Sequence, residues 1–494
     1  MKTLKAITFA VLFATLFSCG EEFLDRPPLA QLTAGTFPES EEDAVLATNA
    51  VYNILRSWSF HAGGFPILDI MSDQATKGTN PGDGGSTAPF EDFSFDPFAG
   101  HISAWWATVY EGIRRANLVI TEVPSIDMDE ELRTRLVAEA RFLRGYSYSV
   151  LVRAFGAVPL VTTVDAPLDL TRTEAETVWS DLIFPDLEYA LEHLPEKSEY
   201  PDSDLGRVTK GATKALLARL YLFRGEFDMA ETMALEVINS GQYQLEPNFG
   251  DAFSEDYEGG VESIWEIPAL PENNANGGNQ YANTWAIRGT PNRGWGFGRP
   301  AYSWITMMQA NDDPRMDASV IFLGEVLGGV VTEGEGPTPD TTYNEQGAII
   351  EIEVYNQKVW HSGAATQESF GHNKRNIRYA DVLLMAAEAL NENGKSAEAL
   401  PYLNEVRERA RGGNTTILPD ISTTDQTALR QIIADERNFE LAFEGLRFWD
   451  LIRTEKAVEI MGPLGFVDGK HQLLPIPQSE IDISEGRISQ NDNY

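Results

Sequence analysis

Two pairs of alanine- and leucine-rich segments most constrain the fold of this 494-residue chain. The first pair covers residues 208–224 and 229–238, and the second covers residues 377–393 and 397–409. In each pair a glycine-containing turn separates two stretches whose apolar residues recur at helical spacing. The pattern predicts helix–turn–helix units of the tetratricopeptide type, and therefore a mainly α fold with a scaffold of helical hairpins.

Two long stretches depart from this pattern. Residues 60–103 and 241–370 are rich in glycine, proline and aromatic residues, and β-prone runs at 262–267 and 349–354 predict short strands in the second stretch. We expect a single domain over residues 40–494, in which these two variable, loop-rich regions are carried by the helices. The helical scaffold is expected at about residues 40–60, 103–240 and 371–460.

Residues 1–18 have the pattern of a targeting segment. A positively charged start precedes an apolar stretch that is too short to span a bilayer and is typical of a signal peptide. It ends at Cys19, the only cysteine of the chain, in a sequence that resembles a bacterial lipobox. Glu21 and Glu22 resemble the acidic export signal of surface lipoproteins. We predict that Cys19 is lipidated and that residues 19–39 form a tether; an ordinary cleaved signal with a coincidental cysteine is the alternative.

Composition argues against several classes of function. The net charge of -37 opposes binding to nucleic acid, because a strongly acidic surface repels phosphate backbones. A single cysteine cannot form a disulfide framework or a cysteine-rich metal site, and none of the six histidines forms a close ligand pair. The sequence also lacks the glycine-rich spellings of phosphate and dinucleotide loops. We therefore predict no metal and no cofactor.

The charged stretch 436–453 allows two interpretations. Glu436 and Glu440 could act as a catalytic acid–base pair. Alternatively, acids and bases spaced three and four residues apart form an ion network along a helix surface, and we favour this structural interpretation. The chain contains no nucleophile elbow of the G-x-S-x-G kind. We predict no catalytic residues, and hence that the protein is not an enzyme.

Aromatic residues of the second loop-rich region stand among asparagines and arginines. Such a combination suits sugars, because aromatic faces cover their C–H surfaces while amide and guanidinium groups bond their hydroxyls. The competing interpretation is that the aromatics pin long loops to the scaffold. The residues that we predict to contact a ligand here are Tyr281, Trp285, Arg293 and Trp295.

Four stretches of the chain form a joint signature. They are AEARFLRGY and LVRAFGAVPLV within residues 138–161, RYADVLLMAAEA at 378–389, ERNFELAFEGLRFWDLIR at 436–453, and LLPIPQSEI and QNDNY within 473–494. Taken in order, these stretches resemble the SusD/RagB family of nutrient-binding outer-membrane lipoproteins. Each stretch alone is a weak signal, but the joint order is specific and covers nearly the whole chain after the signal peptide.

The resemblance implies four tetratricopeptide-like helical pairs that bear a variable ligand-binding half. It also implies a partner, a SusC-like TonB-dependent outer-membrane transporter, and a position in the outer membrane facing the cell exterior. In the family the region around Asp73 and Lys77 borders the ligand site, although Gln74 replaces the usual acid here. We therefore expect the site where residues 60–103 meet residues 273–304.

The leading hypothesis is capture of nutrient oligomers, namely glycans, for such a transporter. A protein that captures peptides for the same kind of transporter is the first alternative. A surface glycosidase and a tetratricopeptide scaffold that binds only proteins are further alternatives.

Overall fold

Helices dominate the structure, as the sequence predicts. The computed structural model describes residues 37–494 except 63–66, 79, 81, 168, 272–276, 337–338 and 361–370. The helices are α1 (Glu41–Leu55), α2 (Ile67–Ile70), α3 (Gly100–Glu122), α4 (Glu130–Phe155), α5 (Ala175–Val178), α6 (Phe184–His193), α7 (Lys210–Arg224), α8 (Phe227–Asn239), α9 (Tyr281–Trp285), α10 (Tyr302–Ala310), α11 (Tyr379–Glu392), α12 (Ser396–Ala410), α13 (Gln426–Glu440), α14 (Arg447–Arg453), α15 (Ala457–Met461) and α16 (Gln478–Ile483).

Helices α7 and α8 form the first predicted hairpin, and α11 and α12 form the second. The side-chain oxygen of Thr209 accepts a hydrogen bond from the N–H of Ala212 at 3.0 Å, which caps the start of α7. Gly225 ends α7 in the left-handed conformation, with φ of 73°. Because α8 packs against α11, the two hairpins are neighbours although about 140 residues separate them. This arrangement confirms the tetratricopeptide-like scaffold.

Short antiparallel strand pairs link the loop-rich regions to each other and to the scaffold. β2 pairs with β10, so the segment that follows the 241–370 region lies beside the first strand of that region. β1 pairs with β3 and joins the 60–103 region to the 241–370 region. The strands are β1 (Ala75–Gly78), β2 (Ser263–Ile267), β3 (Phe297–Pro300), β4 (Val320–Phe322), β5 (Val326–Leu327), β6 (Val330–Val331), β7 (Thr341–Tyr343), β8 (Ile349–Ile352), β9 (Val354–Asn356) and β10 (Lys374–Arg378).

One large hydrophobic core lies between the helices, and a second lies beneath the loop-rich region. The second core contains Trp285, Trp304 and Phe443, so it joins α9 and α10 to the segment that follows α13. Cys19 and the predicted signal peptide and tether up to residue 36 lie outside the described residues. Within the part of the chain that the structure describes, no helix is both long and apolar enough to cross a membrane.

Candidate ligand-binding site

The two loop-rich regions meet at the β1–β3 pair. Ala75 lies opposite Pro300 and Thr76 lies opposite Arg299. The carbonyl of Gln74 continues the pairing by accepting a hydrogen bond from the N–H of Ala301 at 2.7 Å. The structure therefore brings together the two segments that the sequence expects to form the site.

The loop that follows α9 is fixed by backbone hydrogen bonds. The N–H of Trp295 donates to the carbonyl of Asn283 at 2.7 Å, and the N–H of Arg293 donates to the carbonyl of Ile287 at 2.8 Å. Further along the loop, Thr290 and Glu333 exchange two backbone hydrogen bonds of 2.9 Å. Because its backbone is held at several points, the loop presents its side chains from a rigid support.

Trp295 and Trp360 are both half-buried residues of the second loop-rich region. The guanidinium carbon of Arg293 lies 5.7 Å from the centre of the Trp360 ring, which is cation–π distance. Trp360 also packs against the small core formed by Ile287, Ile321 and Tyr355. Trp360 is not among the residues predicted above, because this single aromatic residue lies outside the asparagine-rich stretch. We refer to Arg293, Trp295 and Trp360 as the aromatic surface.

Tyr281 and Trp285 occupy a different position from the one expected. Trp285 is only 2% exposed and Tyr281 9%, so neither is the exposed stacking platform that the sequence interpretation assumed. The physical reason is close packing at Gly298, where an added Cβ would lie 2.2 Å from the Trp285 ring. Tyr281 lies under Lys374, whose Nζ is 5.0 Å from the ring centre. Both residues support the second core from inside.

Lys77 lies on β1 and orders the neighbouring loop. Its Nζ donates hydrogen bonds to the carbonyls of Asn80 at 3.2 Å and Asp83 at 2.9 Å. Burial lowers the pKa of Lys77. The Asp83 carboxylate accepts a hydrogen bond from Arg288, which lowers the pKa of Asp83. Lys77 thus fixes the loop that presents the Asp83–Arg288 ion pair beside β3.

Asp73 faces another part of the molecule. Its two carboxylate oxygens accept hydrogen bonds from Arg447, each at 2.8 Å. The pair lies in a cleft of about 600 Å³ between the helices, which Met307 and Asn438 also line but neither Trp295 nor Trp360 does. The structure therefore separates Asp73 from the aromatic surface, because its carboxylate is engaged by the segment after α13.

The carboxylates of the 436–453 stretch are paired with cations. Glu440 lies 2.6 Å from Arg378, 2.5 Å from Arg409 and 3.0 Å from Arg315, and Glu436 lies 2.7 Å from Arg315. Burial alone would raise the pKa of Glu440, but the three arginines outweigh it and lower the pKa to about 2. A carboxylate held this firmly as an anion is a poor proton donor at neutral pH, so the network favours the structural interpretation.

In the described ranges, no group of three or more His, Cys, Asp and Glu side chains is placed to hold a metal ion. The predicted polar site residues Asp73 and Lys77 instead form an ion pair and contacts that hold a loop. One arrangement that can contact a ligand is the aromatic surface, in which Arg293 lies over the Trp360 ring and partly exposed Trp295 follows Arg293 by two positions in the chain.

Comparisons with known proteins agree with this architecture. A family model described as "SusD family" matches residues 261–494, and one described as "Starch-binding associating with outer membrane" matches residues 86–222. A SusD-like protein of Formosa agariphila is 30% identical over an alignment of 522 positions, gaps included, which covers 99% of each chain. The structure is similar to that of a laminarin-binding SusD-like protein, with a TM-score of 0.76, 28% identity, and coverage of 92% of this chain and 100% of that one. It is also similar to a SusD homologue from Bacteroides thetaiotaomicron, with a TM-score of 0.78, 26% identity, and coverage of 94% and 99%.

Proposed function

The chain belongs to the SusD family, and we propose that it is a lipid-anchored outer-membrane protein that binds glycans at the aromatic surface and passes them to a transporter. The observation that carries the proposal is the contact between Arg293 and the partly exposed Trp360 ring, with partly exposed Trp295 two positions from Arg293 in the chain. A pyranose ring can lie on an indole face while a guanidinium group donates to its hydroxyls.

The similarity to a laminarin-binding protein supports a glycan as the ligand. The rigid support of the loop agrees with this role, because a ligand that binds to preordered side chains loses less free energy to their immobilisation. Within the proposal, Tyr281 and Trp285 hold the loop from the core, and Lys77 holds the neighbouring Asn80 and Asp83. Asp73 contributes through its ion pair with Arg447, at a distance from the ligand.

We propose that binding occurs without hydrolysis. A glycoside hydrolase needs two carboxyl groups, one of which is protonated, about 5–9.5 Å apart across a cleft. Glu436 and Glu440, the pair that the sequence offers as a possible catalytic acid and base, are instead buried among arginines. Mass spectrometry of oligosaccharides and peptides incubated with the protein should find them uncut. Turnover that disappears when one carboxylate is changed would contradict this.

The anchor is proposed at Cys19. Its position at the end of a short apolar stretch predicts lipidation, and two or more acyl chains give stable anchoring. The description of the family model that matches residues 86–222 supports association with the outer membrane. We propose that the protein faces the exterior, beside a SusC-like TonB-dependent transporter. Labelled palmitate should enter the wild type and not Cys19→Ala, and external protease should reach the protein on intact cells. Label in the alanine variant would contradict the anchor.

A glycan array probed with the purified full-length protein tests the ligand class. We expect saturable binding to at least one oligosaccharide, and laminarihexaose is the first defined probe for calorimetric titration. A peptide library serves as the second arm. Binding to peptides with no response to any glycan would replace glycan capture by peptide capture, and binding to neither would contradict the proposal.

A further inference from the structure

Two small adjoining clefts lie away from the aromatic surface. Their volumes are about 150 Å³ and about 240 Å³, and neither is lined by Arg293, Trp295 or Trp360. They meet where Gly206 approaches Pro268, since an added Cβ at Gly206 would lie 3.2 Å from the Pro268 ring. Both clefts are lined by the loop 204–207 and by Trp265.

The walls combine rings with amide groups. Tyr200 and Pro268 line the first cleft, together with Asn373. One face of α1 lines the second cleft through residues spaced three and four positions apart, which lie on the same side of a helix. Those residues are Asn49, Tyr52, Asn53 and Arg56. Asn49 and Asn53 are exposed, and their amide oxygens accept hydrogen bonds from Arg207 at 2.9 Å and from Arg56, so their NH2 groups are the donors that they offer to a ligand.

The charged groups of the walls already have partners within the protein. Arg207 donates to Glu139 at 2.8 Å and to Asp204 at 3.1 Å. Lys197 donates to three backbone carbonyls at 2.7–3.0 Å. Glu266 accepts hydrogen bonds at 3.0 Å from a backbone N–H and at 2.9 Å from the Asn373 amide. A ligand that fits these walls is therefore neutral, since an ion would compete with paired charges.

Trp265 supplies an unused donor. It is 2% exposed, and among the described residues its indole N–H has no acceptor. A buried polar group without a partner is uncommon in proteins and requires an explanation. Edge-to-face contacts with Phe142 and Tyr146, with ring centres 5.0 Å and 4.8 Å away, fix the indole in place. Because Trp265 lines both clefts, a bound hydroxyl is a candidate partner for this donor.

We propose that these clefts are a second saccharide site that takes a neutral sugar ring or the end of a glycan chain. Each cleft is smaller than the roughly 300 Å³ at which pockets begin to enclose drug-sized ligands, so each accommodates one ring and not an extended chain. Trp265 donates to a hydroxyl, Asn49 and Asn53 bond further hydroxyls, and Tyr200 and Pro268 cover C–H faces. The choice of a sugar rests on the proposed glycan-binding function.

Fluorine NMR of the full-length protein labelled with 5-fluorotryptophan tests this site directly. Trp265→Phe and Trp295→Phe each remove one resonance and so assign the reporters of the two sites. Glucose, galactose, mannose and N-acetylglucosamine are then titrated separately, followed by laminarihexaose. We expect the Trp265 resonance to shift saturably with at least one monosaccharide.

Two substitutions on α1 provide the matched test. Asn53→Phe places a large ring in the second cleft from an exposed position. The sugar affinity obtained from the Trp265 shift should fall by about tenfold or more. Leu46→Phe, at another exposed position of the same helix that lines neither cleft, should leave the response unchanged.

The two reporters separate the possible failures. A Trp265 resonance that no sugar moves, while the Trp295 resonance shifts, would overturn the second site and leave the proposed function intact. A Trp265 shift that persists unchanged in Asn53→Phe would also overturn it. If neither resonance responds to any sugar, both proposals are contradicted.

Discussion

The ion network around Glu440 and the aromatic surface contain the residue types that usually mark functional sites, but they differ in what those residues contact. In the network, each carboxylate meets arginines of the same chain, and Glu440 is fully buried. At the aromatic surface, Trp295 and Trp360 are partly exposed residues. A group whose partners are internal has little left to offer a ligand, and for this reason we place the proposed site at the accessible aromatic surface and not at the charged network.

The largest expected effect is a loss of folding stability at acid pH, where the carboxylates of the network become protonated. The pKa of Glu440 is lowered from 4.5 to about 2, and that of Asp450 from 3.8 to about 2, where arginines outweigh the effect of burial. Ionised forms of these groups therefore stabilise the fold above about pH 4.5, and that contribution is lost as the pH falls toward 2. Circular dichroism during chemical unfolding at several pH values should show a steep loss of stability in this window. Constant stability from pH 4.5 to 2 would show that the ion pairs do not hold the fold.

Glu440→Gln should break the same network at neutral pH. It leaves Arg315, Arg378 and Arg409 without their shared carboxylate, and removing one partner of a buried pair costs about 3–5 kcal/mol. The free energy of unfolding in urea measures this loss. Glu459→Gln is the control, because Glu459 is exposed and pairs with exposed Lys456, so its change should stay within about 0.5 kcal/mol. Equal effects of the two variants would contradict the assigned difference.

Two tryptophans of the same loop-rich region sharpen the comparison. Trp285→Ala should reduce the free energy of unfolding by about 3–5 kcal/mol, because it opens a cavity beneath the loop. Trp295→Ala removes a half-buried ring and should cost at most about 2 kcal/mol. Thermal melting of both variants checks the order. A larger loss of stability in Trp295→Ala than in Trp285→Ala would contradict the assignment of Trp285 as the structural residue.

The scaffold was predictable and the site only partly so. Helical periodicity and the glycine turns predict α7–α8 and α11–α12 to within about three residues, because the signal is local. Whether Trp285 or Trp295 faces solvent depends on β1–β3 pairing and on the space at Gly298, and neither leaves a pattern near those residues. The same limit applies to Asp73, whose partner Arg447 lies 374 positions away in the sequence.

The role of Trp360 cannot be predicted from its neighbours in the sequence. It becomes part of the surface because Arg293, far from it in the chain, lies over its ring. Composition around Trp360 gives no sign of this, so only the folded chain identifies it.

Calorimetric titration of Trp360→Ala with the best glycan from the array tests the central claim most directly. Loss of one aromatic face should weaken binding by about 1–2 kcal/mol, or about five- to thirtyfold, with a melting temperature close to that of the wild type. Phe98→Ala, at an aromatic residue that is 75% exposed, is the control and should bind as the wild type does. Unchanged affinity in Trp360→Ala, with the same heat and stoichiometry as the wild type, would contradict the assignment of the aromatic surface as the ligand site.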